Sequence, residues 1–205
     1  YRLQSIDGYD PLYLRHYGEF IAASEREKPD INPPFGFNRI ITPHNFDSRI
    51  IDLLGVKYLL SLSDISNKNF EKVFNEGETR IYKNKKVLPR AFFVDNTISA
   101  KDKNQSIKLL FSNRERLGEI AVVENFKSSA YAQGKVQVQS YKENKIILNT
   151  TTDGEGFLVL TDSFYPTWHA RVDGVETKIY RTNYNFRGVV VPKGIHRVEF
   201  YITLF

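Results

Sequence analysis

The four histidines are the first side chains to consider for chemistry, because imidazole binds metals and transfers protons near neutral pH. His16, His44, His169 and His196 show neither His-x-x-x-His nor His-Glu-x-x-His spacing, the patterns that place two metal ligands on one face of a helix. The chain also has no cysteine, which excludes thiolate ligands, thiol nucleophiles and disulfides. We therefore predict no metal site and no cofactor.

A serine hydrolase is the catalytic class with partial support. Asp162 and Ser163 are adjacent and His169 follows shortly after them, but the Gly-x-Ser-x-Gly turn that would expose a nucleophile does not occur. Asp153 and Glu155 flank a glycine, as solvated turn residues do, and no Gly-rich phosphate loop is present. We predict no catalytic residue in this chain and keep a soluble hydrolase as an alternative.

Aromatic and hydrogen-bonding side chains in the C-terminal half are better candidates, and they point to binding. Aromatic rings pack on the apolar faces of sugars, while Arg and Asn donate hydrogen bonds to hydroxyl groups. The segment Phe164–Trp168 follows a predicted strand and should form a loop, where binding residues often lie. For Trp168 itself, packing between two sheets is the favoured explanation. The candidate ligand-binding residues are Tyr165, Trp168, Tyr180, Arg181, Asn183 and Tyr184.

Composition favours a folded chain rich in β structure. Of 205 residues 41% are hydrophobic, with 12 Tyr and 15 Phe, and aromatic residues favour strands over disorder. The net charge of +5 is spread along the chain, so we expect no nucleic-acid partner. No apolar run approaches the roughly 18–20 residues that a membrane helix needs. Because the sequence lacks methionine altogether, we expect it to be part of a longer protein.

The elements of the first 128 residues predict a mixed α/β subdomain. Helices are predicted over Tyr9–Ala23, with Asp10 as N-cap, over Asn45–Leu54 with Asn45 as N-cap, and over Asp102–Phe111. Strands are predicted over residues 56–62, 78–83, 89–94 and 119–123. Alternation of helices and strands is typical of an α/β or α+β unit.

From residue 129 to 205 the pattern changes to strands alone. Period-two alternation predicts strands over residues 135–141, 144–150, 156–161, 168–172, 175–180, 186–191 and 196–202. Asp173-Gly174, between two of them, is a strong signal for a two-residue hairpin. The predicted fold class is α+β, with an N-terminal α/β unit followed by an antiparallel, jelly-roll-like β-sandwich.

The order of these segments resembles the YfhO-like family of bacterial polytopic membrane proteins. In the C-terminal half the resemblance lies in Phe157–Trp168, Val172–Gly174, Ile179–Asn183, Phe186–Pro192 and Gly194–Phe200. In the N-terminal half it lies in Gly8–Pro11, Leu53–Leu60, Ile81–Asn84 and Leu88–Phe92. Members of the family are similar to GT-C-type glycosyltransferases, which use lipid-linked sugars. The resemblance implies membrane spans elsewhere in the protein and a catalytic loop outside this segment.

These observations together predict an extracytoplasmic domain of a multi-pass protein of the bacterial cell membrane. Its expected role is recognition of an acceptor or glycan, or structural support, without catalysis of its own. The expected partners are the remainder of the membrane-embedded chain and a cell-wall polymer or lipid-linked sugar. A free-standing carbohydrate-binding module remains an alternative of another class.

Overall fold

A computed structural model describes residues 4–6, 8–9, 13–32, 40–41 and 44–203. The chain is mostly β and divides into two compact units, residues 1–89 and 90–205. The sequence places the boundary between residues 128 and 129 instead. The units differ from that prediction because strands between residues 90 and 128 are hydrogen-bonded to strands near the C-terminus.

The first unit combines two helices with a small antiparallel sheet. Its elements are β1 (Gly8–Tyr9), α1 (Arg15–Arg26), β2 (Ile40–Ile41), α2 (Arg49–Leu53), β3 (Tyr58–Ser61), β4 (Phe70–Glu76) and β5 (Thr79–Asn84). β1 pairs with β2, and the other three strands form a sheet in the order β3-β5-β4.

Both predicted helices of this unit start later than the sequence indicates. Leu14 has an extended backbone, so α1 begins at Arg15, and Tyr9 lies in β1 because it pairs with Ile40. Asp10 and Pro11 lie outside the described residues. In α2 the N-cap is Ser48 rather than Asn45. The Asn45 amide instead donates hydrogen bonds to carbonyls at the end of α1.

The second unit contains two sheets. Its elements are β6 (Ala91–Val94), β7 (Asn96–Ala100), α3 (Lys103–Ser112), a 3₁₀ turn (Arg114–Arg116), β8 (Ile120–Glu124), β9 (Ser129–Ala130), β10 (Gly134–Lys142), β11 (Lys145–Thr152), β12 (Gly156–Leu160), β13 (Trp168–Val172), β14 (Val175–Thr177), β15 (Tyr180–Thr182), β16 (Phe186–Val191) and β17 (Gly194–Ile202). One sheet has the order β10-β11-β17-β13-β14 and the other β6-β12-β16-β15-β8-β7-β9.

The two sheets of this unit share one hydrophobic core. Ile146, Leu148, Val198 and Phe200 come from the five-stranded sheet. Phe93, Leu158, Leu160, Val189 and Val191 come from the seven-stranded sheet. Side chains from both sheets therefore pack together in this core, and the paired strands β6 and β12 are buried at every position. β7, α3 and β8 add a parallel βαβ unit to the edge of the seven-stranded sheet.

Several sequence predictions are confirmed in this unit and one is wrong. The helix predicted over Asp102–Phe111 is α3, and the predicted Asp173-Gly174 hairpin joins β13 and β14. The structure adds that Asp102 caps α3, because its side chain accepts from the Gln105 N–H. The predicted strand 175–180 is in fact two strands. β14 belongs to the five-stranded sheet and β15 to the seven-stranded sheet, so the chain changes sheets at Lys178-Ile179.

Candidate functional site

Loop 162–168 connects β12 to β13 and is fixed to the β15–β16 hairpin. The Phe164 N–H donates to the Asn185 carbonyl at 2.6 Å, and Asn185 Nδ2 donates to Ser163 Oγ at 3.0 Å. Arg187 Nε and Nη2 both donate to the Ser163 carbonyl, at 3.0 and 2.9 Å. A guanidinium that binds one carbonyl through two donors fixes the direction as well as the position of the loop.

Around this loop the structure brings together a group of charged and aromatic side chains at one end of the two sheets. We call this group the strand-end cluster. It consists of Arg90, Tyr141, Asp162, Ser163, Trp168 and Arg187.

Arg187 is the buried centre of the strand-end cluster. Only 4% of the residue is exposed, and its guanidinium carbon lies 3.7 Å from the centre of the Trp168 ring. Burial lowers the pKa of Arg187 to about 10, although the nearby Asp162 carboxylate acts in the opposite direction. Within the described part of the chain, Nη1 has no hydrogen-bond acceptor.

Asp162, Arg90 and Tyr141 form the outer part of the cluster. Arg90 Nη1 lies 2.6 Å from Asp162 Oδ1 and also donates to the Tyr141 hydroxyl at 2.9 Å. The Tyr141 hydroxyl is 3.1 Å from both Asp162 carboxylate oxygens. Burial and the Asp162 charge raise the pKa of Tyr141 to about 12, so the phenol stays protonated and donates to the carboxylate.

Tyr165 and Trp168, the first two predicted ligand-binding residues, have different surroundings. Tyr165 is 47% exposed at the tip of the loop, and its carbonyl accepts from the Trp168 N–H at 3.1 Å. Trp168 is partly buried between Arg187 and the hydrophobic core. The Tyr165 side chain is thus accessible to a ligand, whereas the Trp168 ring packs against the Arg187 guanidinium of the cluster.

Tyr180 and Arg181 lie on β15 and are partly covered. The Tyr180 ring packs against Phe126, with 4.4 Å between ring centres. The Arg181 guanidinium lies 4.4 Å from the centre of the Phe164 ring, and its Nε is 3.6 Å from Glu124 Oε2. Burial nevertheless raises the pKa of the Glu124 carboxyl, against the influence of Arg181.

Asn183 and Tyr184 form the tip of the β15–β16 hairpin and are fully buried. Both have a positive φ, 47° and 72°, which is uncommon for residues other than glycine. Asn183 joins the hairpin to β8, because its N–H donates to the Val122 carbonyl and its Oδ1 accepts from the Val122 N–H. In this position the two side chains do not reach the surface.

Asp162, Ser163 and His169 have separate neighbours. Ser163 Oγ accepts from Asn185 and Asp162 binds Arg90, while the His169 ring stacks on Tyr201 with 5.5 Å between ring centres. No hydrogen bond joins Ser163 to His169 in the part of the chain that the structure describes. This arrangement gives Ser163 an amide donor in place of the imidazole base that acyl transfer requires.

Sequence reasoning missed Arg187, Asn185, Arg90 and Tyr141 as members of this site. Arg187 carries a readable signal, since it is a charged residue inside the otherwise apolar run Phe186–Val191. A buried arginine in a strand needs acceptors from another element, and here loop 162–168 supplies one. The other three come from separate elements, and local patterns do not show that they meet.

The described residues form a β-rich fold with charged and aromatic side chains gathered around loop 162–168. Among the described residues no helix has the length and apolarity needed to cross a bilayer. Residues 123–203, from β8 to the last residue described, match the family model of the bacterial membrane protein YfhO. This match covers the C-terminal part of the chain and supports the resemblance to the YfhO-like family that the sequence predicts. Comparison with curated proteins and with solved structures gave no match.

Proposed function

We propose that this chain is the extracytoplasmic domain of a multi-pass membrane protein of the bacterial cell envelope. In this proposal the strand-end cluster, together with Tyr165, recognises a cell-envelope glycan. Glycosyl transfer from a lipid-linked sugar then takes place in another part of the protein, as the family resemblance implies. The two sheets that share one core support the predicted β-sandwich as the scaffold for this site.

The observation that carries the proposal is the exposure of two tyrosines, one bound to an ionic pair and the other on the loop that carries the carboxylate of that pair. Tyr165 and Tyr141 are both exposed, and Tyr141 contacts the Arg90–Asp162 pair directly. Tyrosine provides a flat apolar surface for a sugar ring, while the arginine and the carboxylate bind hydroxyl groups. Arg187 and Trp168 hold the loop beneath these groups, so the site is preorganised.

Binding of the 205-residue chain to soluble probes tests this proposal. The probes are teichoic acid and peptidoglycan fragments, measured by isothermal titration calorimetry. We expect Tyr165→Ala to weaken binding of the recognised probe roughly tenfold or more, since it removes an exposed ring whose hydroxyl makes no hydrogen bond among the described residues. Tyr58→Ala is the matched control, because Tyr58 is 54% exposed but lies in the other unit, and it should bind as the unchanged chain does.

Equal affinity of the unchanged chain and Tyr165→Ala would contradict a site at loop 162–168. Release or transfer of sugar by the chain alone would contradict the proposal that this domain binds the glycan and that another part of the protein catalyses glycosyl transfer. A purely structural role is the second candidate, favoured by the number of buried polar groups that hold the loop in place. It would be supported if neither probe binds while the chain remains folded.

A further inference from the structure

The three-stranded sheet of the first unit has an unusually apolar outer face. Tyr58, Leu60 and Phe74 are exposed strand residues on this face, and two further exposed residues adjoin them, Leu62 after β3 and Val73 at a bulge in β4. We call these five residues the apolar sheet face. Leu60 and Leu62 are 67% and 69% exposed. The register pairs Leu60 with Ile81 and Ile81 with Phe74, so one apolar row crosses all three strands.

The opposite face of the same sheet is the one that is packed. Tyr82 is buried, and Phe70 is covered by the ring of Phe46, with 6.0 Å between ring centres. Antiparallel sheets with one packed face normally present polar residues on the other. Large apolar residues gathered on a solvent face mark a surface that binds a partner.

Lysines surround one side of the apolar sheet face. Lys83 stands directly across from Tyr58 on the neighbouring strand, and Lys57 Nζ lies 5.6 Å from the centre of the Tyr58 ring. Lys85 and Lys86 follow the buried Asn84 and are also exposed. Acidic residues are present too: Glu71 lies across from Lys83 in the row of Tyr58, and Glu76 lies across from Thr79 beyond Phe74. Asp64 is compensated by Lys72 and Arg80.

We infer that the apolar sheet face docks on the surface of an anionic lipid bilayer. Tyrosine and lysine beside leucine and phenylalanine is the combination found where proteins meet the membrane interface. The apolar side chains would enter the acyl boundary while Lys57 and Lys83 contact headgroup phosphates. The inference rests on the proposed position of the domain beside a membrane, but it uses other residues than the glycan site.

Vesicle co-sedimentation of the 205-residue chain tests this inference. The probes are phosphatidylcholine vesicles with and without phosphatidylglycerol. We expect binding to the anionic vesicles that weakens as salt is raised. Leu60→Ser with Leu62→Ser should lower the partition coefficient roughly tenfold or more, and Lys57→Ala with Lys83→Ala roughly fivefold per lysine.

The matched control is Val175→Ser with Ile195→Ser, because these residues are 71% and 81% exposed but lie in the second unit. This variant and Tyr165→Ala should bind vesicles as the unchanged chain does. Thermal unfolding of each variant checks that the fold is kept. The inference would be overturned if the partition coefficient changed neither with the leucine substitutions nor with phosphatidylglycerol. It would also be overturned if the chain did not bind vesicles at all.

A self-association assay tests whether a second copy of the chain, instead of a bilayer, binds the apolar sheet face. If sedimentation velocity shows a dimer that Leu60→Ser dissociates, the apolar sheet face is an interface between copies of the chain and lipid docking is overturned. Because the glycan assay contains no lipid and changes Tyr165, failure of one proposal does not imply failure of the other.

Discussion

The hydrogen bonds of the His196 side chain favour the protonated, positively charged imidazole. Its Nδ1 lies 2.6 Å from Asp173 Oδ2 and its Nε2 lies 3.0 Å from the Lys193 carbonyl. Both partners are acceptors, so both ring nitrogens can donate only when the imidazole is protonated. The hydrogen bond to Asp173 accordingly raises the pKa of His196, and the same bond lowers the pKa of Asp173.

This pair predicts a pH window for stability. His196, with a raised pKa, stabilises the fold fully below its ordinary value of 6.5, and that contribution is lost as pH rises through the folded-state pKa. Asp173, with a lowered pKa, contributes above its ordinary value of 3.8 and loses the contribution as pH falls through its folded-state pKa. We therefore expect the pair to stabilise most between about pH 4 and 6.5.

Urea unfolding across pH measures this effect as the difference between the unchanged chain and His196→Gln. The difference should be largest inside that window and shrink on both sides. His169→Gln serves as the control, since His169 is exposed, its ring stacks on Tyr201, and among the described residues no hydrogen bond joins it to a carboxylate. A difference that does not vary with pH would refute the charged state of His196.

At the scale of elements, the β15–β16 hairpin connects most of the site. Its tip joins β8 through Asn183, its Asn185 holds loop 162–168, and Arg187 on β16 supports Trp168. β15 pairs with β8 through a single residue pair, Thr182 with Val123. The Asn183 side chain extends this pairing by accepting the Val122 N–H, as a further backbone carbonyl would.

Two substitutions of Asn183 separate its hydrogen bond from its backbone conformation. Asn183→Ala leaves the buried Val122 N–H without its acceptor and places alanine at φ 47°, so we expect a loss of roughly 2–4 kcal/mol in the free energy of unfolding. Asn183→Gly loses the same hydrogen bond but tolerates positive φ, and should cost about 1 kcal/mol less. Urea unfolding at one pH measures both. Equal losses would show that the backbone is not strained here.

At the scale of the whole chain, the structure divides at residue 90, whereas the sequence pattern changes from mixed elements to strands alone at residue 129. Pairing between distant strands explains the difference. β6 pairs with β12, and β8 pairs with β15, across long stretches of sequence. The hydrophobic core of the second unit includes Ala91 and Phe93 from β6. A cut at residue 128 would therefore remove part of this core and open the seven-stranded sheet.

Two fragments test this division. We expect residues 90–205 to unfold cooperatively by themselves, since both sheets and their common core lie within that range. Residues 129–205 should lack a cooperative transition, because they lose β6, β7 and β8 and leave the edges of β12 and β15 unpaired. Circular dichroism during urea titration distinguishes the two, and a cooperative transition in the shorter fragment would support the boundary predicted from sequence.

The sequence by itself determined the features that depend on neighbouring residues. The alternation of β10 to β13, β16 and β17, the Asp173-Gly174 turn and the Asp102 cap are all local, and the order of motifs carries the family resemblance. The start of α1, the later N-cap of α2 and the split between β14 and β15 were decided by pairing and capping partners that local patterns do not specify.

Only the tertiary structure decided which candidate residues meet. Trp168 was named from sequence, but Arg187, which stacks on it, and Arg90 and Tyr141, which bind Asp162, come from three other strands or strand ends. Asn183 and Tyr184 look like exposed loop residues in the sequence and are buried in the hairpin tip. The reason is physical: alternation indicates which side of a strand faces inward, whereas the register between distant strands fixes which side chains share one end of the fold.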